Sequence, residues 1–114
     1  MTMLELYCLW EKNILKRIKN IMALIRKHFI FTGRVQGVGF RYRANHTANG
    51  IGVTGWVKNC FDGSVEMEVQ GTEEQINRVL VMINKGEYVM IDRIKTTVIP
   101  VVENERGFHI RSSW

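Results

Sequence analysis

The sequence holds only two cysteines, Cys8 and Cys60. They form no metal-ligand spacing and no disulfide framework, so free thiols in a reducing, cytoplasmic compartment are the simpler expectation. The three histidines, His28, His46 and His109, are scattered and make no H-x-x-x-H pair, and no metal or other cofactor is expected. Long apolar runs are missing too. The longest near the N-terminus, Ile21 to Ile25, is too short for a signal-peptide core and cannot span a bilayer. No Ser-His-Asp, Cys-His or paired-carboxylate arrangement is apparent. An enzyme built here must work without a strong protein acid or base.

A broad basic face is also lacking. The formal net charge is +5 over 114 residues, but the first 28 residues carry six basic side chains against two acidic ones. The rest carries ten against nine. The basic character belongs to the N-terminal segment, so binding to a nucleic-acid backbone is not supported for the remainder. The length suits one domain with its own core, and a compact monomer is expected.

Residues 1–26 read as a basic amphipathic extension, with residues 27–114 as the domain. Trp10, Ile14, Ile18, Ile21 and Ile25 recur at helical spacing, with Lys and Arg between them. Three readings stand. The segment is a helix for an anionic membrane or a partner, a frayed extension, or the product of an overlong start, with translation beginning at Met22.

The remainder predicts alternating elements. Lys27–Thr32 is a first strand rich in Phe and Ile. A helix over Gly39–Asn49 presents Phe40, Ala44 and Ala48 as a narrow stripe, ended by Gly50 or Gly52. A second strand, Val53–Asn59, sets Thr54, Trp56 and Lys58 on one face and Val57 and Asn59 on the other. Asp62-Gly63 signals a hairpin. In the third strand Val65, Met67 and Val69 point inward. Thr72-Glu73-Glu74-Gln75 is a capping box, followed by Ile76, Val79, Leu80 and Ile83, with Gly86 as the stop. A fourth strand runs from Ile91 to Ile99 and is closed by Pro100, the only proline. A polar loop leads to a short strand at Phe108–Arg111. The order β-α-β-β-α-β predicts an α+β, ferredoxin-like sandwich. Its antiparallel sheet carries both helices on one face, with a short C-terminal strand added.

One stretch stands out, Gly33-Arg34-Val35-Gln36-Gly37-Val38-Gly39-Phe40-Arg41. Three glycines between a strand and a helix permit tight turning and positive φ. Such a loop can present successive N–H groups to an anion, and the helix start adds more. Arg41 follows in the first helical turn with a fork suited to phosphate. Glycine spacing alone leaves open a junction that merely turns the chain. The Walker pattern fails for want of its Lys-Ser/Thr pair, and the dinucleotide pattern fails at Tyr42.

The full string GRVQGVGFR resembles the signature loop of the acylphosphatase family. Gly55-Trp56-Val57-Lys58-Asn59 is similar to that family's second motif, and Asp62–Glu66, Gln70-Gly71 and Gly107–Ile110 fit as well. The resemblance covers about Lys27 to Arg111. It implies a ferredoxin-like fold and hydrolysis of acyl phosphates to a carboxylate and inorganic phosphate. It implies that Arg41 binds the phosphoryl oxygens and that backbone N–H groups of Val35, Gln36, Gly37, Val38, Gly39 and Phe40 complete the cradle. Asn59 would align the attacking water, and no metal is implied. The chemistry agrees with the missing acid and base: the leaving carboxylate has a pKa of about 4 and departs unprotonated.

Two alternatives come from other classes. Gln36–Tyr42 superficially echoes the RNP1 pattern of RNA-binding modules on the same plan, but Val38, Arg41 and Arg43 break it. A non-catalytic phosphate-binding domain is the other, since acylphosphatase-like domains also occur inside larger maturation proteins.

Overall fold

The computed structural model describes residues 2–113, with the side chains of residues 18–21 outside that description. Eight elements follow one another: α1 (Met3–Met22), β1 (Ile25–Arg34), α2 (Phe40–Ile51), β2 (Thr54–Asn59), β3 (Val65–Gly71), α3 (Glu73–Asn84), β4 (Met90–Ile99) and β5 (Phe108–Ile110). The five strands form one sheet in the order β4-β1-β3-β2-β5. Pairing is antiparallel between β1 and β3, β1 and β4, and β2 and β3. The expected antiparallel sheet thus holds for four strands. The short β5 instead joins β2 in parallel, setting Phe108 against Gly55 and Ile110 against Val57. The two helical crossovers interleave: β3 lies between β1 and β2, and β1 lies between β3 and β4.

Alternation decides which face is buried. Phe29 and Phe31 of β1, Val57 of β2, and Val65, Met67 and Val69 of β3 are buried in one cluster with both domain helices. From α2 come Phe40, Ala44 and Ala48, whose two alanines let the helix approach the sheet closely. From α3 come Ile76, Val79 and Ile83, with Leu80 packed at the margin. The α3 start is held by the expected box: Thr72 accepts from Gln75 N–H, and the Gln75 side chain accepts from Thr72 N–H. It ends at Asn84 with Lys85 as the cap, and the expected stop, Gly86, follows directly. Helix α2 runs two residues past the expected Asn49 and closes on Gly52. Strand β4 begins one residue early, at Met90, and forms one edge of the sheet.

The opposite face of the sheet is not simply solvated. Arg26 is only 2% exposed there. Its guanidinium donates to Glu68 at 2.8 Å, to Gln70 at 3.2 Å and twice to Glu105, at 2.7 and 3.1 Å. Gln70 in turn exchanges two hydrogen bonds with the Val102 backbone, so the 100–107 loop is strapped over this cluster. Strand β1 therefore starts at Ile25, ahead of the expected Lys27 and across the expected boundary after residue 26. Arg26, counted with the basic extension, is a buried ion-pair centre, and Ile25 belongs to β1 rather than to a helical stripe.

Upstream, α1 is one helix of 20 residues, opened by a second capping box between Thr2 and Glu5. Leu6, Tyr7 and Trp10 are exposed along it. Ile18 and Ile21, part of the expected stripe, lie outside the described side chains. No helix among the described residues is long and apolar enough to cross a membrane.

Candidate active site

The glycine loop links β1 to α2 across residues 35–39. Gly39 sits at the helix N-cap with φ 78° and offers no side-chain cap. A residue with a Cβ is disfavoured in that left-handed conformation. Arg43 N–H makes the first bond to the Gly39 carbonyl. Among the described residues, the N–H groups of Gly37 to Tyr42 have no backbone acceptor. They lie at the positive end of the α2 dipole, which favours an anion.

Arg41, in the first turn of α2, is half-buried and makes no hydrogen bond or ion pair among the described residues. Asn59 ends β2 on the same face as the buried Val57. Its Oδ1 is buried and has no hydrogen-bond partner among the described residues. The two side chains meet in one pocket of about 240 Å³, lined also by Val35, Gly37, Gly39 and Phe40. Burying an acceptor without a donor costs free energy, so the Asn59 oxygen stands out among the groups lining this pocket. The described lining has no carboxylate, imidazole or thiol. It offers one cation, amide donors and one amide acceptor.

Of the expected cradle residues, Gln36 and Val38 do not line this pocket. The Gln36 side chain, which the expected backbone cradle does not use, has a task of its own. Its Nε2 donates to the carbonyls of Cys60 at 2.7 Å and Ser64 at 2.8 Å. This ties the loop to the β2–β3 hairpin beside Asn59. The hairpin is itself braced at Asp62, which accepts from the Ser64 hydroxyl at 2.6 Å and the Ser64 N–H at 2.9 Å. Those two hydrogen bonds hold the Asp62 carboxyl below its ordinary range. Val38 faces the neighbouring groove between α2 and the α3–β4 connection.

Two lining residues escape sequence reasoning, Tyr42 and Ile110. Tyr42 adjoins Arg41 and could have been inferred from helical position. Ile110 arrives on β5, whose parallel docking beside β2 has no local sequence signal. Gly55, opposite Phe108 of β5, is close-packed on its other side: a Cβ there would run into the Glu68 carbonyl oxygen of β3, and φ is 139°. Helix α2 is fastened to β5 by Asn45 and Asn49, both donating to the Phe108 carbonyl, at 2.8 and 3.1 Å. The strand bearing Asn59 and the helix bearing Arg41 thus share a common brace.

The RNP1-like echo is resolved by placement. Residues 36–42 form the loop and first turn of α2 rather than a strand, so they cannot spread aromatics on the sheet surface. Among the described residues, no three His, Cys, Asp or Glu gather as a metal site.

Comparisons with known proteins agree with this geometry. The acylphosphatase family model matches residues 27–110. An acylphosphatase from Clostridium acetobutylicum is 47% identical over 79 residues, covering 68% of this chain and 87% of its own length. One from Bifidobacterium longum is 40% identical over 90 residues, covering 77% and 93%. The crystal structure of the Bacillus subtilis acylphosphatase superposes with a TM-score of 0.70 at 33% identity, over 76% of this chain and 98% of that one. A full-length HypF structure aligns equally well over 81% of this chain but only 12% of its own, at 26% identity. The loop with its unpaired arginine, the buried asparagine beside it, the sheet order and the span of these matches have one explanation: the chain belongs to the acylphosphatase family.

Proposed function

We propose that the protein hydrolyses the carboxyl-phosphate bond of acyl phosphates, with the pocket between the glycine loop and β2 as its active site. Arg41 and the N–H groups of the loop and α2 start hold the phosphoryl oxygens. Their donors are fixed before substrate arrives, so little reorganisation accompanies charge movement. Asn59 Oδ1 accepts a hydrogen bond from a water molecule and aims its oxygen at phosphorus. A P–O bond forms to that water as the P–O bond to the acyl group breaks. The electron pair leaves with the carboxylate, which needs no proton at a pKa of about 4. The water's proton passes to a phosphoryl oxygen, so the substrate serves as its own base. The products are a carboxylate and inorganic phosphate. Positioning and electrostatics supply most of the acceleration in phosphoryl transfer. No step draws on a metal.

The observation that carries this reading is the orphaned Asn59 Oδ1 in the same pocket as the unpaired Arg41. The experiment is hydrolysis of benzoyl phosphate in EDTA by wild type, Arg41→Ala and Arg41→Lys. Wild-type turnover is expected. Loss of about 10²–10³ is expected in Arg41→Ala, with a severe loss in Arg41→Lys because the fork is gone. A folded wild type without turnover would overturn the reading.

A further inference from the structure

The phosphoryl cradle accounts for one end of a substrate. A second hollow, of about 460 Å³, opens beside it between the start of α2 and the α3–β4 connection. It shares Gly39 and Tyr42 with the cradle pocket. Tyr42 is 70% exposed, and its ring stacks on His46 with centroids 5.9 Å apart and planes 7° from parallel. Across the groove stand Met82 and Tyr88, both exposed, with Val38 near the cradle. Single exposed apolar side chains need no explanation, but several converging on one concavity mark a binding surface. Its charged members, Arg43 and Glu87, are one of each sign, which gives no net attraction for an ionised chain. Arg43 also reaches the Met82 carbonyl at 3.4 Å.

The sheet order places this groove. Strands β2 and β4 lie on opposite sides of the β1–β3 pair, and the cradle loop leaves β1. Asn59 ends β2, on one side, and the α3–β4 connection lies on the other. In-line displacement sets the attacking water and the leaving oxygen on opposite sides of phosphorus. A water held by Asn59 therefore directs the leaving group away from β2, toward Tyr42 and the groove.

We propose that this groove is the acyl subsite, and that it selects acyl phosphates with a bulky, uncharged, apolar acyl group, aromatic ones above all. Tyr42 and Tyr88 are its specificity-determining side chains. The inference rests on the hydrolase reading above. Aromatic faces offset against an aryl ring add binding beyond the area buried.

The test compares kcat/KM for benzoyl phosphate and acetyl phosphate in wild type, Tyr42→Phe, Tyr42→Ala and Tyr88→Ala. Differences in intrinsic substrate reactivity cancel when the ratio of the two is compared between enzymes. Inhibition by inorganic phosphate reports whether the cradle is intact. The ratio is expected to fall about tenfold in each alanine variant, mostly through KM for benzoyl phosphate, and to be kept in Tyr42→Phe. Unchanged ratios in both alanine variants, with phosphate still inhibiting, would overturn the subsite and leave the hydrolase reading standing. A wild type that binds phosphate but hydrolyses neither substrate would overturn both.

Discussion

Asn49 and Phe108 exchange two hydrogen bonds: the Phe108 N–H donates to Asn49 Oδ1 at 2.9 Å, and Asn49 Nδ2 donates back to the Phe108 carbonyl at 3.1 Å. A side-chain amide here does for β5 what another strand would do. Replacing Asn49 with Ala removes both bonds and leaves the Phe108 N–H unpaired near the core. The expected cost is about 1–2 kcal/mol. It should appear as a lower urea midpoint with an unchanged slope. An unaltered midpoint would show that the brace adds nothing to stability.

Gln36 should matter to catalysis without touching substrate. Its two bonds to the Cys60 and Ser64 carbonyls fix the loop against the hairpin that carries Asn59. Gln36→Leu keeps the bulk and loses both donors. A misplacement of the cradle by a fraction of an ångström is expected to lower kcat by between about tenfold and a hundredfold. Gln36→Glu should do no better, because a carboxylate cannot donate to two carbonyls. Steady-state kinetics of the two variants beside wild type decide the point.

Asn59→Ala sets function against stability. The substitution removes the proposed water-aligning acceptor, so turnover should fall by about 10² or more while inorganic phosphate still binds. It also removes a buried acceptor that has no partner among the described residues. Stability should therefore be kept or rise by up to about 1 kcal/mol. Thermal melts with and without phosphate, run beside the assay, test both halves. A variant that is both inactive and clearly less stable would contradict this account.

Acid should loosen the strap across the sheet. Burial alone pushes Glu105 upward, but hydrogen bonds from Arg26 and Thr54 outweigh it and hold the carboxyl below its ordinary value of 4.5. Burial also opposes the Arg26 charge, yet Glu105 and Glu68 raise its pKa beyond the usual range, so it stays protonated throughout. A depressed carboxyl contributes its full stabilisation above about pH 4.5 and loses it as pH falls through the folded-state value. The melting temperature should be insensitive to this pair near neutrality and should drop below about pH 4.5. Glu105→Gln should be less stable at neutral pH and should lose part of that acid dependence. A parallel acid drop in both proteins would exclude Glu105 as a source.

The elements with local, periodic signals were legible in the sequence. Thr72 and Gln75 announced the α3 cap, and Ile76, Val79 and Ile83 announced its buried stripe. The strings around Arg41 and Asn59 announced their family. What stayed hidden depends on partners far along the chain. Arg26 looked like one more cation of a basic extension because its partner Glu105 is 79 residues away. Asn45 and Asn49 looked like polar helix positions because the Phe108 backbone they hold arrives near the end of the chain. Gln36 entered the expected cradle through its backbone N–H, and no sequence pattern says that its side chain turns to the hairpin. Boundaries shifted by a residue or two where pairing with a neighbouring strand, rather than propensity, fixed the ends.

The sheet order also has a kinetic meaning. Central strand β1 pairs only with strands distant in sequence: Ile25 lies opposite Gly71, and Arg26 opposite Ile99. Closing such long loops costs chain entropy before any contact rewards it, so folding should be slower than for a helical bundle of equal size. The active site inherits that schedule. Arg41 comes from just past the first third of the chain, Asn59 from the middle, and the brace at Phe108 from near the end. During synthesis, a nascent chain lacking β5 would carry both proposed catalytic side chains without the strand that braces α2 beside β2, so activity should appear only once that strand has emerged and docked.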